Sequence, residues 1–216
     1  GKKGMLGMFN HGRASADPVS SDHLGDGLLL RQGYTLVWVG WQHDVPESEG
    51  LMRLHPPIAR GVGGLVRSEY TAPAGTNVIP LGDAGHVPYP VADRASLSVS
   101  VRHELNGPRT LMPEGNWSLD GGRVLLSKPS IAPAIYEVVY RSVDPPVVGA
   151  GLAAIRDIVS HLKRDHRYAI GFGVSQSAMV LRALLYEGFN QDENGRQVFD
   201  GVFAHVAGAR RSTFHR

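Results

Sequence analysis

Five residues concentrate the chemistry this chain could do: Gly173-Val174-Ser175-Gln176-Ser177, set between the apolar run Tyr168 to Gly173 and a helical stripe of Val180, Leu181, Leu184 and Leu185. A strand that turns at once into a helix needs small residues on either side of the bend, and the bend lifts one hydroxyl above the sheet beside the helix N-terminus. Ser175 is that hydroxyl, in a G-x-S-x-G pattern whose last glycine is replaced by Ser177. A serine so placed is a candidate nucleophile for acyl transfer. That reaction develops negative charge on the carbonyl oxygen, and each preorganised N–H aimed at it is worth about 3 kcal/mol in the transition state. The amide of Gln176 would be one such donor. The second is expected from a loop after an earlier strand, the place held by Asn10-His11-Gly12-Arg13, so the amide of Gly12 or Arg13 is its candidate. The same five residues lack the lysine and the spacing of a phosphate-cradling loop. The bland alternative is a tight turn with an exposed serine.

Holding such a bend requires a parallel sheet, and the sequence supplies short apolar runs for one at Met5 to Phe9, Thr35 to Val39, Tyr168 to Gly173 and Gly201 to Ala207. Each reads as a strand buried on both faces. Ser20 and Ser21 can cap a helix carrying Leu24, Leu28 and Leu29 that stops at Gly33, and Leu152, Ile155, Val159 and Leu162 mark a longer amphipathic helix. Strands alternating with helices imply helices on both sheet faces. After the second run, Gly40-Trp41-Gln42-His43-Asp44 reaches the carboxyl end of the sheet, where Trp41 and His43 could line a substrate pocket, although His43-Asp44 reads more readily as a loop cap.

From residue 50 to 145 the texture changes to alternating runs such as Leu97 to Val101 and Ile135 to Tyr140, with a hairpin turn at Asp120-Gly121-Gly122. The expected organisation is therefore an α/β fold, a parallel sheet with flanking helices built from residues 1–49 and 146–216, interrupted by a β-rich insert at 50–145. Trp117, Tyr136 and Tyr140 could give the insert an aromatic substrate wall or could be its core. A carbohydrate-binding insert is one alternative function, and a non-catalytic binding protein on the same fold is another.

The phrases Gly33 to Trp38 with Gly40-Trp41-Gln42, Tyr140-Arg141 with Asp144-Pro145-Pro146-Val147, Gly149 with Gly151 to Asp157, Gly171 to Ser177, and His205 to Arg211 resemble a family of long α/β-hydrolase-domain proteins. The resemblance implies an α/β-hydrolase-type sheet and a serine hydrolase acting on an ester or related acyl bond, without supplying the substrate; the expectation is an acyl-enzyme route on a small-molecule acyl substrate with no cofactor. Members usually carry Gly and then Arg after Ser-Gln-Ser. Ala178-Met179 stand here instead and make the mouth of the helix more apolar.

Hydrolases of this type place the triad in the order Ser, acid, His. Glu187, Asp192, Glu193 and Asp200 precede the last strand, which puts them at the opposite end of the sheet from Ser175. His205 reads as a core histidine in mid-strand, and His215 has no acid before it. The acid and base are thus expected beyond Arg216, with this chain a fragment that is inactive alone. His161 and His166 diverge on a helix, so no metal site is expected, and Asp192-Glu193-Asn194-Gly195 reads as a solvated turn.

Composition narrows the rest. Among 216 residues there is no cysteine, which excludes a thiolate nucleophile, a disulfide scaffold and any Cys-ligated cluster. The formal charge is +2 with the basic residues scattered, which argues against nucleic acid. No apolar stretch approaches the ~18 to 20 residues of a membrane span. With 27 glycines and 14 prolines the chain is loop-rich, yet 42 % hydrophobic residues supply a core.

Overall fold

The computed structural model describes residues 4–9, 26–45, 52–82 and 86–209. The chain divides into two units, residues 1–56 with 148–216, and residues 57–147. It runs first through β1 (Gly4–Phe9), α1 (Leu28–Arg31) and β2 (Tyr34–Val39). The second unit follows with β3 (Gly63–Ala72), β4 (Val78–Pro80), β5 (Ser98–Arg102), β6 (Thr110–Leu111), β7 (Trp117–Asp120), β8 (Arg123–Leu126) and β9 (Ala134–Val143). The chain then returns to the first unit for α2 (Ala150–Leu162), β10 (Ala169–Val174), α3 (Gln176–Tyr186) and β11 (Gly201–His205).

In the first unit the strands form one parallel sheet in the order β11-β10-β1-β2. The register aligns Val37 with Gly7, Gly7 with Gly171 and Gly171 with Val202, so these residues share a face. Onto that face pack Leu152, Ile155 and Val159 of α2 and Val180, Leu181 and Leu184 of α3, in one cluster with Trp41, Ala169, Val198 and Phe199. The steps of three and four between these leucines and valines are what make the two helices amphipathic. Burying each such side chain contributes about 1.5 to 3 kcal/mol.

Two polar clamps fix the amino end of this sheet. His166 donates from Nδ1 to the Leu162 carbonyl at 2.8 Å, and its Nε2 shares a hydrogen bond with the Thr35 hydroxyl at 3.0 Å. Lys163 Nζ reaches the carbonyls of Gln197 and Val198 at 3.0 and 3.2 Å and Asp200 Oδ2 at 2.8 Å, while Asp200 Oδ2 also accepts from the Ala169 amide at 2.7 Å.

The structure corrects three expectations about burial and helix extent. The strand Thr35 to Val39 is half-buried along its length because β2 is an edge. β11 is the other edge, and Phe203 is 57 % exposed. The helix expected around Leu24, Leu28 and Leu29 is a single turn from Leu28, preceded by Gly27 at φ 73° and capped by Asp26, whose Oδ1 accepts from the Leu28 amide. Leu28, Leu29 and Leu30 are all exposed. Of the helices in this unit, α2 and α3 share one face of the sheet.

The second unit is antiparallel throughout. β3-β9-β5-β6 form one sheet and β4-β8-β7 another. Alternation decides its faces: Ala134, Tyr136, Val138 and Tyr140 of β9 are buried with Ala72, Ile79, Val99, Trp117 and Val124, whereas Glu137 and Arg141 point the other way. The hairpin at Asp120 to Arg123 turns through Gly121 at φ 56° as its sequence requires. On the outer face Glu69 and Glu137 lie directly opposite each other, a destabilising pairing. Arg67, Arg102 and Arg109 offset it, with Arg102 Nη2 to Glu69 at 2.7 Å and Arg109 Nε to Glu137 at 3.1 Å. The Arg102 hydrogen bond lowers the Glu69 carboxyl below its ordinary value against the upward pull of burial, and the charges of Arg102, Arg67 and Arg109 add to the effect.

Candidate functional site at the bend between β10 and α3

β10 runs into α3 without a loop, and the glycines of the strand explain how. A Cβ at Gly173 would lie 2.8 Å from the backbone carbon and oxygen of Ser177 and 2.9 Å from the Ala178 amide nitrogen. Only glycine lets the first turn of the helix fold back so closely, and the residues it meets, Ser177 and Ala178, are small and buried. Serine in place of the usual glycine at 177 is thus accommodated.

Between strand and helix stands Ser175 at φ 55° and ψ −116°, a conformation that costs a non-glycine residue about 1 to 3 kcal/mol. Its side chain is exposed and makes no capping hydrogen bond. Its amide donates to the His205 carbonyl at 3.0 Å, and its own carbonyl accepts from Met179 at 3.0 Å to open the helix. The amides of Gln176, Ser177 and Ala178 therefore belong to the first turn, where no preceding carbonyl of the helix is available to them, and they sit at its positive end. Chemically, an exposed hydroxyl in this place can attack a carbonyl, and the amide donors beside it can stabilise the oxyanion that results.

The neighbouring strand contributes what sequence reading missed. Val206, directly after the acceptor residue His205, has φ 48°, a rare conformation for a β-branched side chain. Two strained residues thus end adjacent parallel strands, joined by the bond from Ser175 to His205. Arg182 of α3 donates to the Gly208 carbonyl just beyond. No residue type announces a positive φ at valine, so the sequence held no sign of it. His205 itself is exposed at the end of β11, not buried in mid-strand, because β11 is an edge; its ring lies 5.7 Å from that of Phe203.

The other expected site residues are distributed as follows. Trp41 is 6 % exposed and belongs to the core under α2, where its carbonyl would be 2.6 Å from a Cβ at Gly151. His43 Nδ1 is 3.9 Å from Asp44 Oδ1, both side chains being largely covered. Gly12, Arg13, His11 and His215 lie outside the described residues. Trp117, Tyr136 and Tyr140 are core residues of the second unit and so present no exposed aromatic wall. Tyr140 donates to the Tyr89 carbonyl, and burial, with a contribution from Tyr89, pushes its phenol up to about 12.

Three carboxylates beyond α3 are engaged elsewhere. Asp192 accepts from the amides of Asn194 and Arg196 and from the Arg196 side chain, the solvated turn its sequence suggests. Glu193 pairs with Arg156 at 3.1 Å. Asp200 is held at the start of β10, the end opposite Ser175. Among the described residues no group of three or more His, Cys, Asp or Glu side chains could hold a metal ion, and no helix is long and apolar enough to cross a membrane.

No curated protein and no solved structure matches the chain. Residues 132–216, the stretch that carries β10, the bend at Ser175, α3 and β11, match the family model described as an alpha/beta hydrolase domain.

Proposed function

We propose that the first unit is the nucleophile-bearing core of an α/β-hydrolase, with the second unit inserted between β2 and α2, and that the protein is a serine hydrolase acting on an ester or related acyl bond. The observation that carries this reading is the exposed, strained Ser175 at the head of α3, next to first-turn amides. A plain turn would gain nothing from holding a serine in that conformation. Ser175 Oγ attacks the acyl carbon, and the carbonyl electrons move onto oxygen beside the Gln176 amide and the amide of Gly12 or Arg13. Collapse expels the alcohol and leaves the acyl group on Ser175 for water to remove. Asp192, Glu193 and Asp200 are committed to Arg196, Arg156 and Lys163, and we assign neither the general base nor its orienting acid to them. Trp41 and His43 stay candidates for substrate contact, His43 the better exposed to one.

Labelling of the full-length protein with a fluorophosphonate tests the reading. The adduct is expected on the peptide containing Ser175, and Ser175→Ala should abolish it; undiminished labelling of that variant overturns the assignment.

A further inference from the structure

The sheet β3-β9-β5-β6 ends on one side in a two-residue strand and on the other in the ten-residue β3, which among the described strands pairs within this sheet with β9 alone. Its outer edge is a row of backbone donors and acceptors with none of the described strands beside it, the form of surface that recruits another strand. Exposure agrees: Leu65 is 75 % and Val62 54 % exposed, and Arg67 and Glu69 are open to solvent.

We propose that this edge is a two-fold interface on which a second copy of the chain adds its own β3, antiparallel, in a single register. The faces of β3 restrict the choice first. Val66 and Tyr70 pack toward the core of their unit, while Leu65, Arg67 and Glu69 lie on the charged face. A slip of one residue would mix the two faces and is excluded. Charge then decides among the remaining registers. A two-fold that sets Arg67 opposite Arg67 of the partner subunit, or Glu69 opposite Glu69 of the partner subunit, places like charges in direct cross-strand contact. Between these two lies the register with Ser68 on the axis, opposite Ser68 of the partner subunit. There Arg67 faces Glu69 of the partner subunit, and the symmetry supplies the same pair twice. Wider slips leave each charge opposite an uncharged residue and shorten the ladder. The strand is therefore complementary to itself in one alignment.

The test uses the full chain. Sedimentation equilibrium of the unmodified protein should show a reversible dimer. Arg67→Glu and Glu69→Arg each set like charges across both symmetric positions and should each weaken self-association by about tenfold. An equimolar mixture of the two variants should recover it, because the mixed pair restores opposite charges at both positions, an outcome that damage to the Glu137 network would not produce. Because the chain has no cysteine, Ser68→Cys should form a symmetric disulfide on mild oxidation much faster than Ser118→Cys on β7. A monomeric unmodified protein, a mixture that associates no better than its components, or equal cross-linking of the two cysteine variants would each overturn the proposal; in those cases Arg67 and Glu69 are charges that keep other strands away.

Discussion

The β7–β8 hairpin and the carboxyl ends of β10 and β11 all turn through left-handed backbone, but they place it on different residues. In the second unit the hairpin between β7 and β8 turns on Gly121 at φ 56°, where no side chain is strained. In the first unit the turns at the carboxyl ends of β10 and β11 fall on Ser175 at φ 55° and Val206 at φ 48°. Similar φ values at glycine cost little and at serine or valine cost about 1 to 3 kcal/mol each. A turn that serves only to reverse the chain is built from the residue that makes it cheaply. A turn that retains a side chain at that expense holds the side chain for another reason, which for Ser175 is the proposed nucleophile.

The contrast breaks most visibly at the glycines that allow close approach. Gly173→Ala puts a methyl group within 2.9 Å of three backbone atoms of the α3 turn, which cannot yield without moving the helix. A loss of about 3 kcal/mol or more is expected in urea unfolding. Gly64→Ala in β3 meets nothing within 4 Å and should change stability by less than about 1 kcal/mol. Equal losses at the two sites would mean that the bend is not as tight as its geometry states.

Next in size are the strained positions themselves. Ser175→Gly should raise stability in urea unfolding by about 1 kcal/mol, while eliminating fluorophosphonate labelling. Gly121→Val in the hairpin should lower it by about 1 to 2 kcal/mol. A stability loss on Ser175→Gly would show that the serine side chain supports the fold, and the proposed division between the two kinds of turn would fail.

How far the sequence discloses this molecule follows the same division. Alternation along β9, the helical stripes of α2 and α3, the Asp120-Gly121-Gly122 turn and the strand-to-helix bend at Ser175 are all local patterns, and each was legible. Edge position is not local. The apolar runs at Thr35 and Gly201 look like buried strands in isolation, yet β2 and β11 end their sheet and are half open. Nor does an aromatic state its partners: Trp117 and Tyr140 read equally as ligand wall or core until the packing of β4, β8 and β9 decides. The bond from Ser175 to His205 and the strain at Val206 come from strand pairing across a long stretch of chain, which residue types do not encode.

The smallest expected effect concerns how each unit uses a carboxylate. For Asp200, burial raises the carboxyl pKa, but hydrogen bonds from Lys163 and the Ala169 amide, together with the Lys163 charge, outweigh it and leave the value below the ordinary one. A carboxylate lowered on folding stabilises the fold above its unfolded value of about 3.9, and that contribution is lost as pH falls through the folded value. Asp200→Asn should therefore be less stable than the unmodified protein at neutral pH, with the gap closing in acid once the unmodified carboxyl is protonated. Glu69 in the second unit is lowered by the Arg102 hydrogen bond and by three arginine charges, with two of those arginines, Arg67 and Arg109, about half exposed. Glu69→Gln should show the same sign, but its effect should shrink in salt, because exposed charges are screened. The Asp200 effect should shrink less, since a backbone amide holds part of it. Urea midpoints measured from neutral to acid pH at low and high salt separate the two. Equal salt sensitivity would mean that the Ala169 amide contributes little and that Asp200 is held by Lys163 alone.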